Sequence, residues 1–131
     1  MTDVEGMYLM GETRGQGWLL AIGQARSIQL LTNISLVPKA PVGILGITHA
    51  AEHLVAVLDP VAVMGWPAAP GIPLPGHRLV LLSAGDWGLW AEKAQRLVEG
   101  ILPDLPIVRR DALQQALHRQ LGTAKNAVST P

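Results

Sequence analysis

His49 and His53 lie four residues apart with Glu52 between them. On a helix that spacing puts two imidazoles on one face, where they can hold zinc. Here the surrounding residues read as a hairpin turn, which does not align positions four apart, and no third ligand accompanies them. A solvated turn is the plainer account. Glu92 and Glu99 are a second candidate pair, of the type used in general acid–base work. They read instead as solvated residues at strand ends. Ser27, Ser35 and Ser83 lack the strand–turn–helix elbow that activates a nucleophilic serine. The run Gly11-Glu12-Thr13-Arg14-Gly15-Gln16-Gly17 lacks the G-x-x-x-x-G-K-[ST] spacing of a phosphate cradle. The chain has no Cys, so it has no thiolate nucleophile, no disulfide framework and no Cys-ligated metal. Catalytic, cofactor-binding and metal sites are therefore all expected to be absent, and the chain is read as non-enzymatic.

The totals point the same way. The 131 residues suit one domain with a real core. Ten basic and ten acidic residues give a formal net charge of zero. That argues against a nucleic-acid partner, which draws on a basic excess. Charged residues are only 15% of the chain and mean hydropathy is +0.29, so much of the surface must be weakly polar or apolar. Such surface favours protein–protein contact. The first 15 residues are acidic and Gly-rich, with no secretory leader pattern. No apolar run approaches the ~20 residues that span a bilayer, so direct membrane insertion is not expected.

The elements that position these residues are short. Met7 to Met10 reads as a strand, Gly11 to Gly17 as a turn or loop, and Trp18 to Ile22 as a second strand. Ala25 to Leu31 fits a strand or a helical turn. Ile34 to Val37 reads as a strand closed by Pro38. Val42 to Thr48 and Leu54 to Leu58 form a hairpin, with Pro38 and Pro41 outside the ladder because they cannot donate to it. Asp59 is an N-cap with Pro60 at the first helical position and Gly65 near the end of a short helix. Pro67 to Gly76 must be a loop. Leu79 to Leu82 and Trp87 to Ala91 are strands joined at Ser83–Asp86. Leu97 to Leu102 is a further strand candidate, and Ile107-Val108 a minimal one. Asp111 to Leu121 is an amphipathic helix with Leu113, Ala116, Leu117 and Leu121 on one stripe, ended by Gly122. Residues 122–131 read as a flexible tail. Trp66, Trp87 and Trp90 read as partly buried packing residues, with an exposed binding anchor as the alternative. The pattern by itself supports a mostly β chain with one C-terminal helix.

The stretch Val37-Pro38-Lys39-Ala40-Pro41-Val42-Gly43-Ile44-Leu45-Gly46-Ile47-Thr48, followed by Leu54-Val55-Ala56-Val57-Leu58-Asp59, resembles the central part of CheW-like domains. These are the adaptor modules of bacterial chemosensory arrays. The likeness extends from about Trp18 to Val98, through Ala25-Arg26-Ser27-Ile28, Arg78 to Leu82 and Gly88-Leu89-Trp90-Ala91-Glu92. Four departures stand out. His49-Ala50-Ala51-Glu52 replaces the family's N-L-R-G, so Ala51 stands at the Arg position. Ser27 stands where an acidic residue is usual. Ala56 replaces a Pro, and the segment before the last helix is short. Ser27 and Ala51 together replace a Glu–Arg pair, which leaves no orphan charge.

The resemblance implies a pair of small SH3-like β-barrels, the second reduced, with a C-terminal helix. It implies a single domain over residues 8–121, with the boundary between sub-barrels near 66–78. It implies a chemosensory adaptor that couples chemoreceptor cytoplasmic tips to the regulatory domain of a CheA-type histidine kinase, in the cytoplasm and recruited to membrane receptor arrays. No cofactor follows from it. A coupling protein of a type IV pilus (twitching motility) or other alternative chemosensory system is a variant of that reading. A small barrel binding an apolar ligand, and a scaffold-only paralogue, are the contrasting ones. The protein-interface residues implied are Ala25, Ser27, Val42, Ile44, Gly46 and Ala51, with Ser27 and Ala51 as neighbours.

Overall fold

A computed structural model describes residues 7–37, 40, 42–50, 52–83, 86–97 and 104–129. Its strands are β1 (Tyr8–Thr13), β2 (Gln16–Ala21), β3 (Ala25–Leu30), β4 (Ile44–Ala50), β5 (His53–Leu58), β6 (Arg78–Leu82), β7 (Trp87–Ala91), β8 (Lys93–Leu97) and β9 (Ile107–Val108). Two α-helices join them, α1 (Pro60–Met64) and α2 (Arg110–Ser129). The chain is mostly β and forms two sheets with a C-terminal helix, as the resemblance implied.

One sheet has the order β8-β1-β2-β9 and the other the order β3-β6-β7-β5-β4. The segment 66–78, where the resemblance implies a boundary between sub-barrels, joins α1 to β6. Strands on both sides of that segment, β5 and β6, belong to the same sheet, while the other sheet unites the two ends of the chain. The five-stranded sheet closes on itself. Past β3 the chain returns to β4, where Ser35 and Ile47 exchange both backbone hydrogen bonds (2.8 and 2.9 Å). The expected strand at Ile34–Val37 is therefore a single bridge at Ser35. The ambiguous segment from Ala25 is strand β3, paired with β6.

Strands β6 and β7 are apolar on successive residues because both their faces are buried. Val80, Leu82, Leu89 and Ala91 face the main core, with Leu9, Trp18 and Leu20 of the four-stranded sheet and Leu113, Ala116 and Leu117 of α2. Leu79, Leu81 and Trp90 point the other way, into the closed barrel with Val55 and Val57. The seam between the sheets is thus filled by side chains.

The Gly11–Gly17 run is not a loop. Only Arg14 (φ 52°) and Gly15 (φ 81°) form the turn, a two-residue hairpin connection with both residues left-handed. Gly11 pairs with Trp18 across β1 and β2, and a Cβ on it would lie 2.3 Å from the indole. That glycine makes room for a ring that is fully buried. The Trp18 Nε1–H donates to Thr13 Oγ1 (3.1 Å), and the Thr13 hydroxyl donates to the Trp90 carbonyl (2.6 Å). Thr13 thereby links the two sheets through the core. Thr13→Val is expected to cost about 2 kcal/mol by leaving the indole N–H and the carbonyl buried without partners. Denaturant unfolding checks it, with Thr13→Ser expected to retain most of the stability.

Helix α1 follows the sequence expectation. The Asp59 carboxylate accepts from Val61 N and Ala62 N, Pro60 opens the helix, and Gly65 (φ 75°) closes it. Helix α2 departs from expectation at its far end. It runs through Gly122 to Ser129. A single interior glycine costs about 1 kcal/mol, which does not by itself stop a helix with Ala124, Lys125 and Ala127 beyond it. The candidate strand from Leu97 onward also differs, since β8 ends at Leu97. Residues 98–102 lie outside the described residues.

Candidate interaction surface

The five described residues of the implied interface differ in burial. Ala25 and Ile44 are half-buried against the main core. Ser27 is half-buried on β3, beside a bulge, and its Oγ accepts from Gln29 Nε2 (3.2 Å). Gly46 is buried. A Cβ there would lie 2.4 Å from the Ser35 carbonyl oxygen, the same oxygen that bonds Ile47 to close the barrel. Its role is close packing of backbone on backbone. Val42 alone of the five described residues is well exposed, at 68%. Ala51 lies outside the described residues, so its expected nearness to Ser27 does too.

The candidate chemical groups also fail to converge. Ala50 pairs with His53 on neighbouring strands and points into the barrel, so His49, one residue before it, belongs to the opposite face. The two imidazoles are on different sides of the hairpin. Among the described residues no three His, Cys, Asp or Glu side chains gather at one point. Glu92 Oε1 accepts from Gly15 N (3.4 Å) at the β1–β2 turn, and its suggested partner Glu99 lies outside the described residues. Trp90 is fully buried in the barrel. Trp66 and Trp87 pack partly buried against the main core, with the Arg110 guanidinium 4.6 Å above the Trp87 ring.

What the surface does carry is an apolar groove of about 760 Å³ on the five-stranded barrel. Leu30, Ile34 and Leu36 form one wall, Ile72 and Leu74 the other, and Leu45 lies between. No lining residue is charged. The groove exists because the chain leaves β3 at Leu30 and crosses irregularly to Ser35, while the Pro-rich loop before β6 stands opposite. His77 holds that loop. Its Nδ1 accepts from Leu74 N (3.0 Å) and from Trp90 Nε1 (3.0 Å), and its ring stacks on Trp90 at 5.9 Å. Nothing in the local pattern distinguishes Leu30, Leu36, Ile72 and Leu74 from core residues. The available signal was large aliphatic side chains in segments that Pro and Asn mark as loop.

The fold has a solved counterpart. The scaffolding protein TtCheW from Thermoanaerobacter tengcongensis superposes with a TM-score of 0.60 at 14% sequence identity, over 72% of this chain and 64% of that one. The fold is CheW-like. The matched region spans about two-thirds of the CheW scaffold. No protein-family model matches the chain. No curated protein matches its sequence either. Among the described residues no helix is long and apolar enough to cross a membrane.

Proposed function

We propose that this chain is a non-enzymatic chemosensory adaptor, coupling chemoreceptor cytoplasmic tips to the regulatory domain of a CheA-type histidine kinase. The observation that carries the proposal is a CheW-like fold that carries an uncharged apolar groove on its five-stranded barrel. Such a surface suits docking and offers no group for bond chemistry. Within this reading residues 8–121 act as one adaptor domain, in the cytoplasm at receptor arrays. Val42 belongs to its outer surface, and Ile47 and Leu54 extend exposed apolar area along the β4–β5 hairpin. The output, flagellar or pilus-driven, follows from which kinase is bound.

Titration of the full chain with purified kinase regulatory domains and receptor-tip fragments from the same cell tests it. Micromolar binding to at least one kinase domain is expected, within the range of transient signalling contacts. Absence of binding to every kinase domain and receptor tip overturns it. One observation favours a second reading, a carrier of an apolar ligand: the groove volume falls within the range of small-molecule pockets. Recovery of a stoichiometric apolar small molecule from the purified chain, with no kinase binding, would select that reading.

A further inference from the structure

We propose that the groove on the five-stranded barrel is filled by a second copy of this chain, the two copies pairing their Ile34–Leu36 segments antiparallel about a two-fold axis. The backbone shows a free edge there. Ser35 N donates to the Ile47 carbonyl (2.8 Å), and the Ser35 carbonyl accepts from Ile47 N (2.9 Å). Residues on either side of such a doubly bonded antiparallel pair turn their own N–H and C=O groups away from that ladder. Ile34 and Leu36 therefore aim four backbone groups away from β4, and both residues line the groove. None of the four bonds to any described residue. An edge of this kind takes an extended chain. The opposite wall does not supply one. Pro73 and Pro75 have no N–H, and Leu74 between them donates to His77 Nδ1 and accepts from His77 N.

The side chains point to the same place. Ile34 and Leu36 lie on one side of the extended chain. Ile34 packs against the barrel core, whereas Leu36 is left 80% exposed. Ile72 (68%), Leu30 (58%) and Leu74 (53%) line the same groove. A cluster of that kind marks a contact surface.

The segment that presents the free edge also carries an uncovered side chain of the kind the groove accepts. In the two-fold register, Ile34 of each copy exchanges both backbone bonds with Leu36 of the other, so every free group of the edge is satisfied. The same register lays Leu36 of each copy beside Ile34 of the other, over the groove. Ser35 of one copy meets Ser35 of the other at the axis. This is a self-complementary contact of the kind that closes a symmetric dimer. Charge permits it. The sequence holds no charged residue from Ser27 to Pro38, and the whole chain has a formal net charge of zero. Edges that must stay unpaired are commonly guarded by charge. The edge strand β8 carries Lys93 and Arg96, and the Ile34–Leu36 edge carries neither charge nor Pro.

Sedimentation equilibrium of the full chain from micromolar to millimolar concentration tests the pairing. A monomer–dimer equilibrium is expected. Leu36→Asp is expected to weaken it at least tenfold with unchanged circular dichroism, the side chain being largely exposed. Leu36→Ala removes the side chain and keeps the N–H, whereas Leu36→Pro removes both. The proline variant is expected to associate at least tenfold more weakly than the alanine one. Ser35→Cys gives a chain without Cys its only thiol. Opposed residues between hydrogen-bonded pairs have Cα atoms about 4.5 Å apart, within reach of a disulfide. Mild oxidation is therefore expected to join two copies of Ser35→Cys, and to leave Thr32→Cys, exposed but off the axis, unjoined.

A chain that stays monomeric at every concentration overturns the proposal, and a dimer that Leu36→Asp leaves intact does the same. Equal association of Leu36→Ala and Leu36→Pro overturns it, since no edge bond would then be made. Cross-linking of Thr32→Cys in place of Ser35→Cys overturns it through the register. A monomer whose groove takes up an extended peptide of another protein, or an apolar small molecule, gives the groove to that occupant instead. Self-association and kinase-domain binding are separate readouts, so either can fail without the other.

Discussion

Gly46→Ala is expected to lower the thermal midpoint by about 12 °C. The added Cβ meets the Ser35 carbonyl oxygen at 2.4 Å and the Ile34 side chain at 2.7 Å. The first of these is backbone, already committed to Ile47 N in the bridge that closes the barrel, so it cannot retreat without breaking that bridge. Overpacking of this kind costs about 3 kcal/mol. A domain of this size loses about 4 °C per kcal/mol. Gly46→Asp adds an unpaired carboxylate to the same buried position and is expected to unfold the chain outright. It is therefore expected to act as a stability variant. Gly23→Ala is the control, because nothing lies within 4 Å of its would-be Cβ. Its midpoint is expected to stay within about 2 °C of the parent. A Gly46→Ala protein that melts with the parent would show that the barrel is not closed at Ser35.

Asp59→Ala is expected to cost about 3 kcal/mol, because the carboxylate has two jobs. One oxygen accepts from Val61 N and Ala62 N and caps α1. The other takes the Arg14 Nε–H at 3.0 Å, with the Asp59 side chain only 7% and the Arg14 side chain 18% exposed. Arg14 also donates to the Ala69 carbonyl (3.1 Å), and its own carbonyl accepts from Ala69 N (3.0 Å). The β1–β2 turn, α1 and the start of the Pro-rich loop are thus tied through one ion pair. Losing the cap accounts for about 1 kcal/mol. Stranding a largely buried guanidinium accounts for the larger part. Asp59→Asn separates the two, since Asn caps well and carries no charge. Denaturant unfolding should place it between the parent and Asp59→Ala. Equal stability of Asp59→Asn and the parent would show that the Arg14 contact contributes nothing.

The elements legible in the sequence share one property: each is determined within a few residues. The Asp59-Pro60 start and Gly65 stop of α1 satisfy backbone groups two to six positions away, so their types and spacing are enough. The hairpin of β4 and β5, the minimal strand at Ile107-Val108 and the stripe through Leu113, Ala116 and Leu117 are read by the same local logic. The run at β6 and β7 was legible as strand but not as two-faced, because burial on the second face depends on what packs there.

The glycines show the limit most sharply. Gly11 and Gly17 look like turn residues, yet they lie in strands. Gly11 is explained by Trp18 across the ladder, and Gly17 by Leu105, whose side chain would meet its Cβ at 3.0 Å. Gly46, which the resemblance places at a partner contact, lies against the backbone of Ser35. In each case the residue type is the same and only the neighbour decides its role.

The sequence alone determined a mostly β chain without Cys chemistry or a phosphate loop, the capped α1, and the C-terminal amphipathic helix. These follow from composition and from interactions of side chains with their own backbone. The tertiary structure decided that the sheets interleave, that Arg14 finds Asp59 across 45 residues, and that Leu30 to Leu36 meets the Pro-rich loop to leave an apolar groove. Those outcomes depend on which distant strands pair. Pairing is selected by the summed burial of many side chains at once, and no short stretch of sequence carries that sum.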